Sequence, residues 1–292
     1  MWWQLILSGV LIGILVGLTG MGGGSLMTPL LVIVFGFNPT LAVGTDIAHG
    51  AVFKTVGAVR HRRLGTVHAR LSGWMFLASA PMSLLGVWLA TKLKGFAGAM
   101  AVIIGIALVA GGIGLMAKSF IRFQERSNKG FHLTRRDRIA ALAIGLLGGL
   151  IVGLTSVGTG VFFGLTMLVV FPLRAAKIVG TDIFHAAALL YVAGFGHFIA
   201  GNVDMSTVGW LLIGSTPGVL LGSQFTLRVP ERALRVSLAT VLVLSGIKLA
   251  DPPQANLLLG IAAVPCLAAL GVLFFQPRWK KRVERLAVAK QT

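Results

Sequence analysis

Two acidic residues, Asp46 and Asp182, lie inside otherwise apolar stretches of this chain. A histidine follows each carboxylate three residues later, at His49 and His185, so each pair shares one face of a helix. Placing a carboxylate in an apolar span costs free energy, so we expect each aspartate to have a role. Two roles are open. The Asp-His pairs carry protons, or each Gly-Thr-Asp sequence caps backbone N–H groups at a helix start and ties its helix to the neighbouring hairpin. The residues with this coupling or capping role are Thr45, Asp46, His49, Thr181, Asp182 and His185.

Two glycine-rich breaks, Gly20–Gly24 and Thr155–Gly160, each separate a pair of apolar segments. The segments that follow them, Ser25–Phe35 and Val161–Phe171, would be only about 16 Å long as helices, too short for a hydrocarbon core of ~30 Å. We therefore predict a re-entrant hairpin at each break. Non-helical backbone at membrane depth must be buried in protein or line a watery cavity, so two tips predict a central site.

An anion is the predicted occupant of this site. Each tip begins a half-helix whose first N–H groups and positive dipole end face the site, and glycine lets an oxyanion approach the backbone. Hydroxyl groups add donors without adding fixed charge. The alternative is that the glycines only allow close helix packing. The predicted substrate-binding residues are Thr19, Gly20, Gly22, Gly23, Gly24, Ser25, Thr155, Ser156, Gly158, Thr159 and Gly160.

Lys54 is a cation inside the apolar stretch Leu41–Val59. Two roles are open for it. The side chain extends toward Arg60 at the membrane surface, or it places a positive charge at the inner mouth that attracts the anion. His49 and His185 could form a metal pair, but no third ligand is evident, so we expect neither a metal nor a cofactor.

The elements that position these residues are duplicated. The segment VGTDIxH occurs at Val43–His49 and again at Val179–His185, an offset of 136 residues. At the same offset, Gly17-Leu18-Thr19 matches Gly153-Leu154-Thr155, and Lys54 matches Leu190. The chain is therefore a duplicated unit, an organisation common in membrane transporters.

The composition predicts a membrane protein. Hydrophobic residues make up 56% and charged residues 12%, about half the charge of a soluble domain. The net charge of +18 comes from loops between apolar stretches, which favours a bilayer and not nucleic acid as the partner. Seven stretches are predicted to cross: Leu41–Val59, Leu71–Ala90, Phe96–Ala117, Ile178–Ala200, Met205–Phe225, Leu234–Ala250 and Asn256–Phe275.

The loop charges also predict orientation. Arg60–Arg63 is strongly basic, whereas its match in the second copy, Gly196–Ile199, has no lysine or arginine. Under the positive-inside rule these equivalent loops lie on opposite sides of the membrane, so the repeats are inverted and the C-terminus is cytoplasmic.

The predicted fold is an all-α polytopic membrane protein of two inverted repeats. Each repeat has a Gly-broken re-entrant hairpin plus three transmembrane helices, and one extra C-terminal transmembrane helix follows. The predicted boundaries are 1–117 for the first repeat, 118–138 for a basic cytoplasmic linker, 139–250 for the second repeat, 251–276 for the extra helix and 277–292 for a basic cytoplasmic tail.

The hairpin sequence GLTGMGGGSLMTPLL (Gly17–Leu31), the motif Gly44-Thr45-Asp46 and the basic central loop resemble the TauE/SafE family of sulfite and organosulfonate exporters. The resemblance covers nearly the whole chain and implies export of a small sulfur oxyanion or alkylsulfonate from the cytoplasm. The second tip departs from the first, since it has Thr159 where Gly23 stands and no proline where Pro29 stands. We therefore expect the halves to contact the substrate unequally.

We predict a transporter of the cytoplasmic membrane that exports a small sulfite-like anion by alternating access, with proton coupling left open. An anion channel is one alternative, and an uptake permease for a related oxyanion or carboxylate is another. No Ser-His-Asp or HExxH spacing occurs in the spans, so we do not expect an enzyme. Assembly as a homodimer is also left open.

Overall fold

The computed structural model of the protein describes residues 2–19, 26–120, 133–225, 231–252, 254–256, 258–260 and 262. Every regular element in these ranges is helical, as the all-α prediction requires. The helices with defined bounds are α1 Trp2–Thr19, α2 Met27–Ile33, α3 Pro39–Arg63, α4 Ala69–Lys92, α5 Ala97–Phe120, α6 Arg135–Thr155, α7 Phe162–Val170, α8 Ala175–Ile199, α9 Met205–Phe225 and α10 Glu231–Ala250.

The helix order repeats. A long helix, a short helix and three long helices make up α1 to α5, and α6 to α10 follow the same order. Local signals fix several helix starts: Asn38 accepts a hydrogen bond from the Thr40 N–H before α3, and Thr134 with Asp137 forms a capping box before α6.

Five helices in the described ranges are long and apolar enough to cross a bilayer: α4, α5, α6, α8 and α9. Four of these confirm predicted spans. The fifth, α6, has 21 residues and was predicted only as the first arm of the second hairpin. The helix after the break, α7, has nine residues and is thus about 14 Å long, too short to cross.

The first tip, residues 20–25, lies outside the described residues, as do most of the predicted extra helix and all of the basic tail. The same holds for 121–132 of the predicted linker. Those predictions therefore remain predictions.

The first helix of each repeat packs in parallel against the fourth helix of the other. On α6, a side chain at Gly149 or Gly153 would overlap the backbone of Ser79 or Ser83 on α4. The equivalent seam joins α1 to α9, where a side chain at Gly13 would overlap Ser215. Glycines four residues apart thus let two backbones meet, as small residues do in membrane bundles.

The third helices, α3 and α8, meet each other and run antiparallel. A Cβ on Gly50 would lie 3.1 Å from Leu190, and one on Gly57 would lie 3.2 Å from Ile183, so residue numbers fall on α8 as they rise on α3. Where these helices meet, the Thr55 and Tyr191 hydroxyls lie 3.0 Å apart. These two positions are equivalent to each other at the 136-residue offset.

Candidate functional site

In the part of the chain that the structure describes, four Asp and Lys side chains are buried: Asp46 and Lys54 on α3, Lys118 on α5 and Asp182 on α8, each at most 7% exposed. We call this set the charged cluster. Its two lysines balance its two aspartates, so its formal charge is zero when all four are ionised. Burial of ionisable groups in a membrane protein has a high desolvation cost, so the charged cluster is the candidate functional site.

Asp46 is held by hydroxyl groups from both halves of the chain. Its Oδ2 atom accepts hydrogen bonds from Thr28 Oγ1 on α2, at 2.6 Å, and from Ser156 Oγ in the second tip, at 2.9 Å. Its Oδ1 atom has no partner among the described residues. The carboxylate thus links α3 to α2 and to the second tip, and its Oδ1 atom can accept a further hydrogen bond.

Lys54 reaches the second tip. Its ammonium group donates to Thr159 Oγ1 at 2.5 Å, and it attracts both Asp182 and Asp46. The interpretation that Lys54 extends toward Arg60 at the membrane surface is therefore wrong, because the buried partner satisfies the ammonium inside the protein. A role in attracting the anion remains a prediction.

Asp182 has a different environment from Asp46. It accepts a hydrogen bond from the backbone of Gly160 in the second tip, and both Lys54 and Lys118 attract it. A Cβ on Gly164 of α7 would lie 3.3 Å from Asp182 Oδ2 and 3.6 Å from Lys118 Nζ, so these groups flank one point. Asp182 Oδ1 also has no partner within the described ranges.

The second tip, Ser156 to Gly160, is buried and connects α6 to α7 through Val161. Ser156, Gly158 and Gly160 have φ values of 62°, 148° and 94°, so the backbone bends through conformations that favour glycine. Of the predicted hydroxyls, Ser156 and Thr159 face the charged cluster, whereas Thr155 Oγ1 donates to the carbonyl of Ile151 within its own helix.

Predicted site residues of the first tip cannot be placed. Gly20, Gly22, Gly23, Gly24 and Ser25 lie outside the described residues. Thr19 is the last residue of α1, and nothing is described of its side chain.

The two histidines of the repeated motif each contact a serine of the other repeat. His49 Nε2 lies 2.9 Å from Ser215 Oγ on α9, and His185 Nε2 lies 3.0 Å from Ser79 Oγ on α4. The two contacts are equivalent at the 136-residue offset. We call them the His–Ser pairs.

The helix-capping interpretation of the Gly-Thr-Asp motifs is wrong for the aspartates, because α3 begins at Pro39 and α8 at Ala175, well before Asp46 and Asp182. The threonines, however, do satisfy backbone groups of other segments. Thr45 Oγ1 accepts from the Asp204 N–H, and Thr181 Oγ1 accepts from the His68 N–H.

Sequence reasoning missed three contributors to the site. Lys118 was assigned to the linker, yet it lies in the last turn of α5 and is 7% exposed. Nothing in the sequence distinguishes it from the basic residues that follow. Ser79 and Ser215 carried a usable signal, since both precede a matched proline by two residues, at Pro81 and Pro217.

The arrangement provides buried ammonium groups, hydroxyl donors and bent backbone at one place, which suits recognition of a small anion. Among the described residues, no group of three or more His, Cys, Asp or Glu side chains converges as a metal site would require.

These features define a polytopic α-helical membrane protein with an internal repeat and a buried polar site. Comparison with known families makes the class specific: residues 5–249 match the family described as sulfite exporter TauE/SafE. The chain belongs to this family of membrane transporters.

Individual relatives agree. The chain is 37% identical to the probable membrane transporter protein YjnA of Bacillus subtilis over 84% of this chain and 98% of that protein. It is 24% identical to YdhB of the same organism, over 84% of this chain and 98% of the relative. It is also 24% identical to the probable membrane transporter protein MJ0441 of Methanocaldococcus jannaschii, over 83% and 93% respectively. These names are consistent with a protein that is not an enzyme. No solved structure matches the chain.

Proposed function

We propose that the protein exports a small sulfur oxyanion or organosulfonate across the cytoplasmic membrane by alternating access. The observation that carries the proposal is the contact between Lys54 and Thr159, which puts a buried ammonium group beside bent backbone of the second tip. Such a position favours an anion, because the ammonium and the tip N–H groups are donors shielded from water. The family description supports sulfur oxyanions as the substrate class.

An inverted arrangement of the repeats is part of the proposal. The antiparallel contact of α3 with α8 supports it, as does the contrast between basic Arg60–Arg63 and its uncharged match Gly196–Ile199. The same rule puts the linker and the C-terminus in the cytoplasm. Single cysteines at the exposed, equivalent positions Arg63 and Ile199, in a chain with Cys266→Ser, test this. We expect an impermeant thiol reagent to label them from opposite faces; labelling from one face contradicts inversion.

Charge balance supports coupling to protons. The charged cluster is neutral when ionised, so a bound anion adds an uncompensated charge in a low-dielectric interior. A proton on Asp46 or Asp182 would cancel that charge. We expect Asp46→Asn and Asp182→Asn to abolish flux driven by a pH gradient and to spare substrate binding. A pH-driven flux equal to wild type in both variants contradicts coupling through these groups.

The direct test is flux of sulfite, thiosulfate, sulfoacetate, taurine and sulfate in proteoliposomes of purified protein. Thr159→Val removes the hydroxyl that faces Lys54 and retains the side-chain volume. Thr216→Val is the matched control, because Thr216 is exposed and its hydroxyl bonds only to Leu212 of its own helix. We expect saturable flux that Thr159→Val lowers about tenfold, the effect of roughly 1.4 kcal/mol, and that the control leaves unchanged. Flux of none of these anions, or equal flux in both variants, rejects the site.

The same assay separates the alternatives. A conductance far above carrier turnover would indicate an anion channel. A proton that compensates the bound anion travels with it, so strict coupling to an inward proton gradient would indicate uptake. Export requires exit that an outward anion gradient drives in the absence of a pH gradient. Assembly as a homodimer is a further part of the proposal, and the mass of the purified protein in detergent tests it.

A further inference from the structure

Lys118 is a buried cation at the end of α5. It is 7% exposed, and the sequence after it is rich in basic residues. Holding an ammonium group in the interior requires compensation by nearby charge or hydrogen bonds. Lys118 and Asp182 both lie close to Gly164, and the Lys118 ammonium attracts the Asp182 carboxylate.

The two repeats have different residues at the position that lies beside Lys118 and Asp182. Position 164 of the second repeat is equivalent to position 28 of the first at the 136-residue offset. Thr28 supplies the hydroxyl that bonds Asp46 at 2.6 Å. Gly164 has no hydroxyl, and a Cβ added there would lie 3.3 Å from Asp182 Oδ2 and 3.6 Å from Lys118 Nζ. Near Asp182, an ammonium group that α5 of the first repeat supplies therefore takes the place that the Thr28 hydroxyl has near Asp46.

This exchange changes what the group can bind. A hydroxyl has one hydrogen to donate, and Thr28 gives it to Asp46. An ammonium has three hydrogens and a full positive charge, so it can face a carboxylate and a second anion together. We propose that Lys118 is a second anion-binding residue of the transport path, shared between Asp182 and the substrate. This inference rests on the proposed function and adds a substrate contact at the α5 end of the site.

The first test replaces the charge. We expect Lys118→Met to raise the KM for the transported anion at least about tenfold, and Lys118→Arg to retain much of the affinity. Lys248→Met is the matched control, because Lys248 is an exposed lysine in the last turn of α10. It should leave the KM unchanged.

A second set of variants separates substrate binding from structural neutralisation of Asp182. If Lys118 only balances the carboxylate, Lys118→Met with Asp182→Asn should have the KM of Asp182→Asn alone, both measured in flux that the anion gradient drives without a pH gradient. We expect the double variant to fold, yet to have a KM about tenfold higher than the single variant. Equal values would overturn the inference.

Gly164→Thr makes the second repeat like the first. Its hydroxyl can reach Asp182 as Thr28 reaches Asp46, since both groups near that Cβ position are ends of side chains that can move. We expect Lys118→Met with Gly164→Thr to recover folded protein and not anion affinity. Recovery of wild-type affinity would overturn the inference, because a neutral hydroxyl would then suffice.

Anion-dependent thermal stabilisation of the purified protein by sulfite, thiosulfate or sulfoacetate gives a readout besides flux. Stabilisation that Lys118→Met abolishes supports the inference even where wild-type flux is absent and the proposed function fails. Flux and stabilisation that both survive in Lys118→Met reject the inference alone. A wild-type protein that neither moves nor is stabilised by any of these anions rejects both.

Discussion

Asp46 and Asp182 occupy equivalent positions in the two repeats, yet their donors differ. Two hydroxyls hold Asp46 and one ammonium group, that of Lys54, attracts it, whereas backbone N–H and two ammonium groups surround Asp182. The packing around them, in contrast, is the same in both halves, with matched glycine seams and matched His–Ser pairs. The packing contacts are therefore the same in both repeats, whereas the charges at the site differ. Both lysines of the charged cluster come from the first half of the chain, which thus supplies more positive charge to the site than the second half does.

The largest effect should come from breaking the shared seams. Gly149→Leu and Gly13→Leu each force a side chain into the backbone of a serine on the partner helix. Overpacking of this kind costs about 1–3 kcal/mol or more, so we expect loss of folded protein in both variants. Detergent-solubilised yield and thermal unfolding measure this.

The controls for the seam variants are Gly73→Ala and Gly209→Ala, also equivalent positions, where a Cβ would meet nothing within 4 Å. We expect unchanged or higher stability there, since alanine is favoured over glycine in a helix by ~1 kcal/mol. Stable seam variants, or unstable controls, would contradict the packing symmetry.

The His–Ser pairs should give an intermediate effect, equal in both halves. Removing one partner by His49→Ala or Ser215→Ala leaves a buried polar group without its hydrogen bond, and so does His185→Ala or Ser79→Ala. Double-mutant cycles should give a coupling of about 1 kcal/mol for each pair. Thermal or denaturant unfolding in detergent provides the four stabilities of each cycle. Coupling in one pair alone would show that the scaffold is not symmetric in energy.

The smallest effect should come from His68 and Asp204, which cap α4 and α9 at equivalent positions. His68 Nδ1 accepts from the Leu71 N–H, and Asp204 Oδ1 accepts from the Ser206 N–H. Burial, chiefly, lowers the pKa of His68, because the neutral imidazole is favoured there. Protonation is therefore easier in the unfolded chain, and the His68 contribution to stability is present above the ordinary imidazole pKa of about 6.5 and lost as the pH falls below it.

His68→Asp should remove this pH dependence, since a carboxylate cap remains ionised in that range. Thermal unfolding of wild type and variant, between neutral pH and a pH about one unit below the imidazole value, measures the difference. An identical decline in both proteins would exclude His68 as the source.

Much of the scaffold could be predicted from sequence because long apolar runs and a fixed repeat offset are local signals. The spans α4, α5, α8 and α9, and the break before α7, follow from them directly. The break itself placed Ser156 and Thr159 in the site, and the internal match drew attention to Asp46 and Asp182.

Other parts depend on contacts between distant segments. Lys118 belongs to the charged cluster only because α5 ends beside α7 and α8, whereas in the sequence it is simply the first of several lysines and arginines. Of the two roles left open for Asp46, helix capping is wrong, because the start of α3 is set by Asn38 and Pro39, about two turns earlier. The direction of Lys54 likewise follows from where the second tip folds, which spacing along the chain does not encode.

The hydroxyl contact between Thr55 and Tyr191 joins two positions that are each other's counterpart. In an inverted-repeat carrier, the inward-open and outward-open shapes interconvert when the halves trade conformations. Such an exchange maps this contact onto itself, whereas it maps Lys54–Thr159 onto Leu190–Gly23, where no lysine exists. If the repeats are inverted as proposed, a pair of spin labels at 55 and 191 should report the same distance in the inward-open and outward-open shapes, and that distance is a reference for the changes measured at other pairs.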